Sequence, residues 1–188
     1  MAQARTLNPT ELRRVLDYIS TRPHAARNRA MLLLTHYSGM RVGEVAALRI
    51  NDVRAGDGTI KEEIRLMADQ TKGRHARTVY LGSKIRKELE RYVTTLSTVD
   101  ANKPLFSTQK SAQFSSNSLA QYFFYLYRAC QIMGASSHSG RRSYLTSLAD
   151  KGTSIHILKS LAGHRSITTT AAYLYSSPSQ LKAAADLI

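Results

Sequence analysis

The chain has 188 residues, 43% of them apolar, and 27 Lys and Arg against 13 Asp and Glu give it a formal net charge of +14. That apolar share excludes a disordered chain, and the length suits one domain or two small ones. The single cysteine, Cys130, excludes an intramolecular disulfide, no apolar run approaches the ~18 residues of a membrane span, and the cationic excess points to polyanions, nucleic acid ahead of acidic membrane.

The first residues, MAQARTLNPT, hold no apolar signal core, so the cytoplasm is the expected location. Asn8-Pro9-Thr10-Glu11 predicts a helix start, followed by Leu12, Val15, Leu16 and Ile19 at helical spacing. His24–Ser38 predicts a central helix, apolar on several sides at Met31–Leu34 and closed by Gly39. Arg41–Leu48 predicts a short helix with Arg41 in its first turn. Alternation through Ile60, Glu62, Ile64 and Leu66 predicts a strand, and Val79 with Leu81 a second. A third strand around Ile50–Arg54 would complete a small antiparallel sheet. Ser83 is the expected cap of a helix with the stripe Ile85, Leu89, Tyr92, Val93 and Leu96. A loop over Ala101–Ser116 leads to a helix over Ser118–Met133, whose buried face is Leu119, Tyr122, Phe123, Leu126, Cys130 and Met133. Helices follow over His138–Lys151 and Ser154–Leu161. Gly163 breaks the second, and Ser166 caps a short helix reaching Tyr173. Ser177-Pro178-Ser179-Gln180 starts a last helix with the apolar stripe Leu181, Ala184, Ala185, Leu187 and Ile188. The expected fold is mainly α with a small antiparallel β-sheet.

In four places polar or cationic residues interrupt sound apolar patterns. Arg41 is followed at i+3 by Glu44, which can orient its guanidinium. Lys72 sits in the basic loop between the two strands. His138 and Arg141 share an i,i+3 spacing that places them on one helix face, a good clamp for a phosphate. His164 and Tyr173 end the series. Each has a bland reading when taken singly: a surface ion pair, a solvated hairpin lysine, chance neighbours in a basic chain, one of ten tyrosines. Together they offer two arginines for the oxygens of a phosphodiester, a lysine for a leaving alkoxide, two histidines for proton transfer and a tyrosine to attack. Fixed cations would then stabilise a phosphorane without metal. The acids are scattered, whereas Mg²⁺-dependent nucleases need clustered carboxylates.

The segments SGMRVGEVAALR (38–49), QTKGRHARTVYL (70–81), HSGRRSYLTSLADKG (138–152) and LAGHRSITTTAAYLY (161–175) resemble the tyrosine recombinase family, the phage-integrase-type site-specific recombinases, in order and spacing. The resemblance implies a catalytic recombinase domain over residues 7–176. It implies a C-terminal helix over 177–188 that docks on a neighbouring protomer or on its own domain. Tyr173 would attack a DNA phosphodiester to give a 3′-phosphotyrosyl link. Arg41 and Arg141 would hold the phosphate and Lys72 would protonate the leaving 5′-oxygen. His138 and His164 would bond the phosphate and assist proton transfer, and Glu44 would support Arg41 from behind. The implied partners are double-stranded DNA at a specific recombination site, further copies forming a tetramer on DNA, and accessory DNA-bending proteins. No cofactor, metal or membrane is implied, and association with the nucleoid would follow DNA binding. Two alternatives stand beside the recombinase: type IB topoisomerase-like relaxation and a non-catalytic DNA-binding accessory module.

The chain departs from the family pattern at Gly140 and Arg142, where Leu and His are common, and at Ala162. Gly140 is expected to loosen the start of its helix, and Arg142 to add charge near the phosphate. Typical members also carry an N-terminal DNA-clamping domain of roughly 80–100 residues. The first helix signal here begins at Asn8, so that clamp is expected to be absent, as in short forms resembling fimbrial-switch invertases and small phage integrases.

Overall fold

The computed structural model describes residues 4–71, 73–96, 100–108, 111–174 and 185. Two compact units divide the chain, Met1–Tyr144 and Leu145–Ile188. Among the described residues no helix is long and apolar enough to cross a membrane.

The first unit opens with α1 (Pro9–Ser20). Asn8 caps it by accepting from the Glu11 N–H at 2.8 Å, while the Glu11 carboxylate accepts from the Asn8 N–H at 3.0 Å. Leu12, Val15 and Ile19 then face the core. Helix α2 (Ala25–Ser38) is central: Ala30 through Thr35 are all buried. It packs on α1 and on α5 (Ser83–Val93). Gly39 ends α2 at φ +65°, and a Cβ there would lie 2.5 Å from the Tyr144 ring, so conformation and space both require glycine.

Two expectations for the next stretch are corrected. Arg41 is extended and precedes α3 (Val42–Ala46), so it caps the helix instead of occupying its first turn. Ile50–Val53 forms the short helix α4, not a third strand. The Asp52 carboxylate accepts the Arg49 N–H at 2.8 Å, a helix-start bond that competes with extended pairing. Only isolated bridges, Arg49 with Pro104 and Arg54 with Ile60, remain of the strand. The sheet is therefore two-stranded: β1 (Glu63–Leu66) runs antiparallel to β2 (Arg77–Tyr80), with Ile64 opposite Val79 and Leu66 opposite Arg77. Ile64, Leu66 and Val79 face inward, as period-two patterning requires. Ile60 and Glu62 lie outside β1.

Gly82, one residue before the expected Ser83, caps α5, whose buried face is Ile85, Leu89, Tyr92 and Val93. Ser115 caps α6 (Ser116–Ala129), which packs on α3. The helix ends before Met133, which is 69% exposed. Gln131 and Gly134 both take positive φ and reverse the chain, which turns Ile132 inward instead. Helix α7 (Ser139–Asp150) follows. Gly140 does not loosen its start. A Cβ at Gly140 would sit 2.1 Å from Thr35 Oγ1, so glycine is what lets this turn lie against α2.

The second unit holds α8 (Ile155–Ala162) and α9 (Ile167–Ala171), packed on each other. Ser154 caps α8, and Gly163 closes it at φ 60° in the left-handed region. Ser166 caps α9 by accepting from the Thr168 N–H at 3.2 Å. The helix stops at Ala171, two residues short of the expected Tyr173. Of the expected last helix, Leu181, Ala184, Leu187 and Ile188 lie outside the described residues, and Ala185 lies among them.

Candidate active site

A buried carboxylate anchors the first unit's share of the site. Glu44, on α3, is 1% exposed, and an unpaired ion there would be costly. Four donors satisfy it. The Arg41 N–H reaches Oε2 at 2.7 Å and Arg41 Nη1 reaches Oε1 at 3.0 Å. Arg77 adds a fork, Nε to Oε1 at 3.0 Å and Nη2 to Oε2 at 2.7 Å. Burial by itself raises the Glu44 pKa, but the bond and charge of Arg77, then those of Arg41, outweigh it and leave the pKa lowered. Glu44 is thus an anion at neutral pH. The i,i+3 pair seen in sequence is real, but it is interior and three-membered, not a surface pair.

Arg141 reaches the same region from α7. It is 4% exposed, and its Nη1 donates to the Gly39 carbonyl at 2.6 Å. Arg41 lies two residues past Gly39, so one turn anchors both arginines. Tyr144 lines the other side of Gly39. Burial raises its phenol pKa and the nearby Arg77 charge opposes that rise.

His138 behaves differently from the expectation. It precedes α7, and its carbonyl accepts the Arg142 N–H at 2.9 Å, so it stands at the helix cap and not inside the helix. It is exposed while Arg141 is buried. Its Nδ1 is 3.3 Å from Ser137 Oγ. Lys72 lies outside the described residues. The residues flanking it are bonded: Thr71 Oγ1 donates to the His75 carbonyl at 2.9 Å, and Gln70 Nε2 donates to Asp52 at 2.8 Å.

The second unit brings His164 and Tyr173 together. Gly163 turns the chain out of α8 and presents His164. Its Nδ1 is 3.0 Å from the hydroxyl of Thr170, which is fully buried on α9. The His164 and Tyr173 rings stack at 5.8 Å with 23° between planes. Tyr173 is half-buried, and its N–H donates to the Thr170 carbonyl at 3.0 Å. Thr170 therefore braces both neighbours. Tyr175, the other tyrosine of this stretch, lies outside the described residues.

Sequence reasoning missed Arg77 and gave Thr170 no role of its own. A signal for Arg77 existed. It shares a strand face with Val79, which points inward, and an arginine on a buried face needs an acid. Among the described residues no group of three or more His, Cys, Asp or Glu could hold a metal ion.

Residues 5–180 match the phage integrase family. Tyrosine recombinase XerC of Pelobacter propionicus is 27% identical over 159 residues, covering 84% of this chain and 50% of that relative. Tyrosine recombinase XerD of Rickettsia bellii is 25% identical over 192 residues, covering 95% of this chain and 62% of that protein. The chain spans about half the length of the curated relatives it matches. Among solved structures, XerA recombinase superposes with a TM-score of 0.77 at 24% identity, over 99% of this chain and 66% of that one. The catalytic domain of bacteriophage HP1 integrase superposes with a TM-score of 0.68 at 19% identity, over 98% of this chain and 95% of that one. Both likenesses are of fold: mostly helical, with the small antiparallel sheet.

Proposed function

The chain belongs to the phage integrase family, and on that premise we propose that it is a tyrosine-type site-specific DNA recombinase that breaks and rejoins DNA through Tyr173. The observation that carries this reading is the shared anchoring of Arg41 and Arg141 on the Gly39 turn, with the Arg41 side held by an ionised, buried Glu44. Two guanidiniums fixed in advance suit the two non-bridging oxygens of a phosphodiester. The net charge of +14 suits the same polyanion. Among the solved likenesses, XerH is bound to its difH substrate and the Tn1549 integrase to circular intermediate DNA, which supports DNA as the ligand here too.

The steps balance without a redox partner. Tyr173 loses its proton to His138 and its oxygen bonds to the phosphorus. The bond from phosphorus to the 5′-oxygen breaks, and Lys72 protonates that oxygen. A 3′-phosphotyrosyl link and a free 5′-hydroxyl result. The 5′-hydroxyl of a second DNA end then gives its proton to Lys72 and attacks the phosphotyrosine, Tyr173 leaves and takes its proton back from His138, and a new strand joint forms. Each attack exchanges one phosphodiester for another, so no ATP is needed. His164, its Nδ1 engaged by Thr170, presents its other ring nitrogen for the phosphate. In this reading residues 7–176 are the catalytic domain, and 177–188 a segment that docks on a neighbouring copy in a tetramer on DNA or on its own domain.

The test uses a pool of nicked suicide duplexes with a randomised arm, incubated with the protein and run on a denaturing gel. A covalent adduct, absent in Tyr173→Phe, supports the enzyme, and sequencing the captured duplexes yields its site. Tight binding with no adduct in the pool would make the chain an accessory module. Relaxation of supercoiled plasmid without strand exchange would make it topoisomerase-like. EDTA is expected to leave adduct formation intact, and a strict Mg²⁺ requirement for the chemical step would overturn the metal-free route.

A further inference from the structure

We propose that Arg77 is a positioning residue for DNA cleavage: its forked grip on Glu44 ties strand β2 to the Arg41 turn and sets where the Arg41 guanidinium points. This rests on the recombinase reading above. Arg77 sits on β2 opposite Leu66, with its side chain 10% exposed. It reaches both oxygens of Glu44, at 3.0 and 2.7 Å. The same two oxygens take Arg41, one by its side chain and one by its backbone N–H. A bidentate guanidinium fixes the plane of a carboxylate, and the plane of this carboxylate fixes Arg41 Nη1. Without Arg77, Glu44 keeps a single cationic partner. It is then free to turn toward Arg41 and draw that guanidinium away from a phosphate.

The grip also spans two segments of the proposed chemistry. Residues 71–76, which include Lys72, lead directly into β2. Arg77 is the first residue of that strand, so its bond to Glu44 fastens the C-terminal root of the hairpin to the helix start that carries Arg41. Lysine cannot replace it: an ammonium keeps the charge but offers a point donor where the carboxylate meets a fork.

The experiment uses the duplex that the wild-type protein captures from the nicked pool. Single-turnover adduct formation and DNA affinity are measured separately for Arg77→Lys, well below its melting midpoint so that folded protein is compared. Adduct formation is expected to slow by about tenfold or more while the Kd stays within about threefold of wild type. In a Glu44→Gln background the same Arg77→Lys change is expected to add less than about twofold, because the residue acts through Glu44. Wild-type rates in Arg77→Lys overturn the proposal. So does a Kd loss that matches the rate loss, or an undiminished effect beside Glu44→Gln, since either would make Arg77 a direct phosphate contact. If the double variant does not fold, rate against Kd in Arg77→Lys alone decides. A wild-type protein that captures no duplex fails the recombinase reading itself, a result distinct from wild type and Arg77→Lys cleaving alike.

Discussion

The two ends of the candidate chemistry are built to different standards. The Arg41–Glu44–Arg77–Arg141 cluster is interior and bonded across distant segments: Arg77 to Glu44 over 33 residues, Arg141 to Gly39 over 102. The bonds described for the His164–Tyr173 stretch are short-range: the His164 N–H to the Lys159 carbonyl, the Ser166 cap, the Thr170 hydroxyl at His164 and a ring stack. Helix α9 is five residues long, and of those only Thr170 is buried. Groups that must hold a phosphate still gain from a rigid, desolvated frame. A tyrosine that follows a short helix with one buried residue has a low local barrier to rearrangement.

That difference can be broken or sharpened by substitution. Arg141→Ala should have the largest effect. Losing one oxyanion donor lowers cleavage by about 10²–10³-fold, and leaving the Gly39 carbonyl unpaired in the interior costs ~1–3 kcal/mol. Adduct assays and thermal melts should move together. Gly140→Ala comes next and acts on stability. Its Cβ would meet Thr35 Oγ1 at 2.1 Å and the Thr35 backbone carbon at 3.2 Å, and overpacking of this kind costs about 1–3 kcal/mol. A melting point equal to wild type would show that α7 slides freely on α2.

Thr170→Val tests the other region. It keeps the shape but removes the hydroxyl bonded to His164, so cleavage should fall about tenfold, the equivalent of a bond worth ~1–1.5 kcal/mol. The melting point should shift by only a few degrees (about 2–4 °C per kcal/mol at this size). Glu44→Gln should flatten the acid side of the stability curve. The folded-state pKa of Glu44 lies below its ordinary 4.5. Its ionised form therefore stabilises fully above that value, and the contribution drains away as pH falls through the depressed folded value. Wild type should lose stability between the two values, and the glutamine variant should not lose that share. Ser166→Ala should be the smallest, about 1 kcal/mol of local helix stability at most. Amide exchange in α9 should speed up while the global melt hardly moves. A large global loss would contradict the contrast.

Much of the fold was legible because its signals are local. Asn8, Ser154 and Ser166 mark helix starts, and Gly39 and Gly163 mark helix ends, because each satisfies or reverses the backbone within a few residues. Alternation at Ile64, Leu66 and Val79 gave the hairpin. The failures were also local, where two short-range signals competed. A strand around Ile50–Arg54 would have completed the sheet, yet Asp52 bonds the Arg49 N–H and Ile50–Val53 is a helix. Met133 continued the apolar period of α6, but the helix ends at Ala129 and Gln131, at positive φ, had already turned the chain.

For the site, the amino-acid sequence alone determined which residues to inspect. The four segments, their order and the excess of cations are properties of the string, and they sufficed to mark Arg41, Glu44, His138, Arg141, His164 and Tyr173. What only the tertiary structure decided is how those groups are held. Whether Glu44 is a surface partner or a buried hub, whether Gly140 loosens a helix or packs it, and whether Arg77 is a surface cation or a clamp all depend on contacts between segments far apart in the chain. Side-chain spacing along one element repeats every few residues and can be read from the string. Which residue of a distant element fills the space opposite is set by packing of the whole first unit, and no short window of sequence contains it.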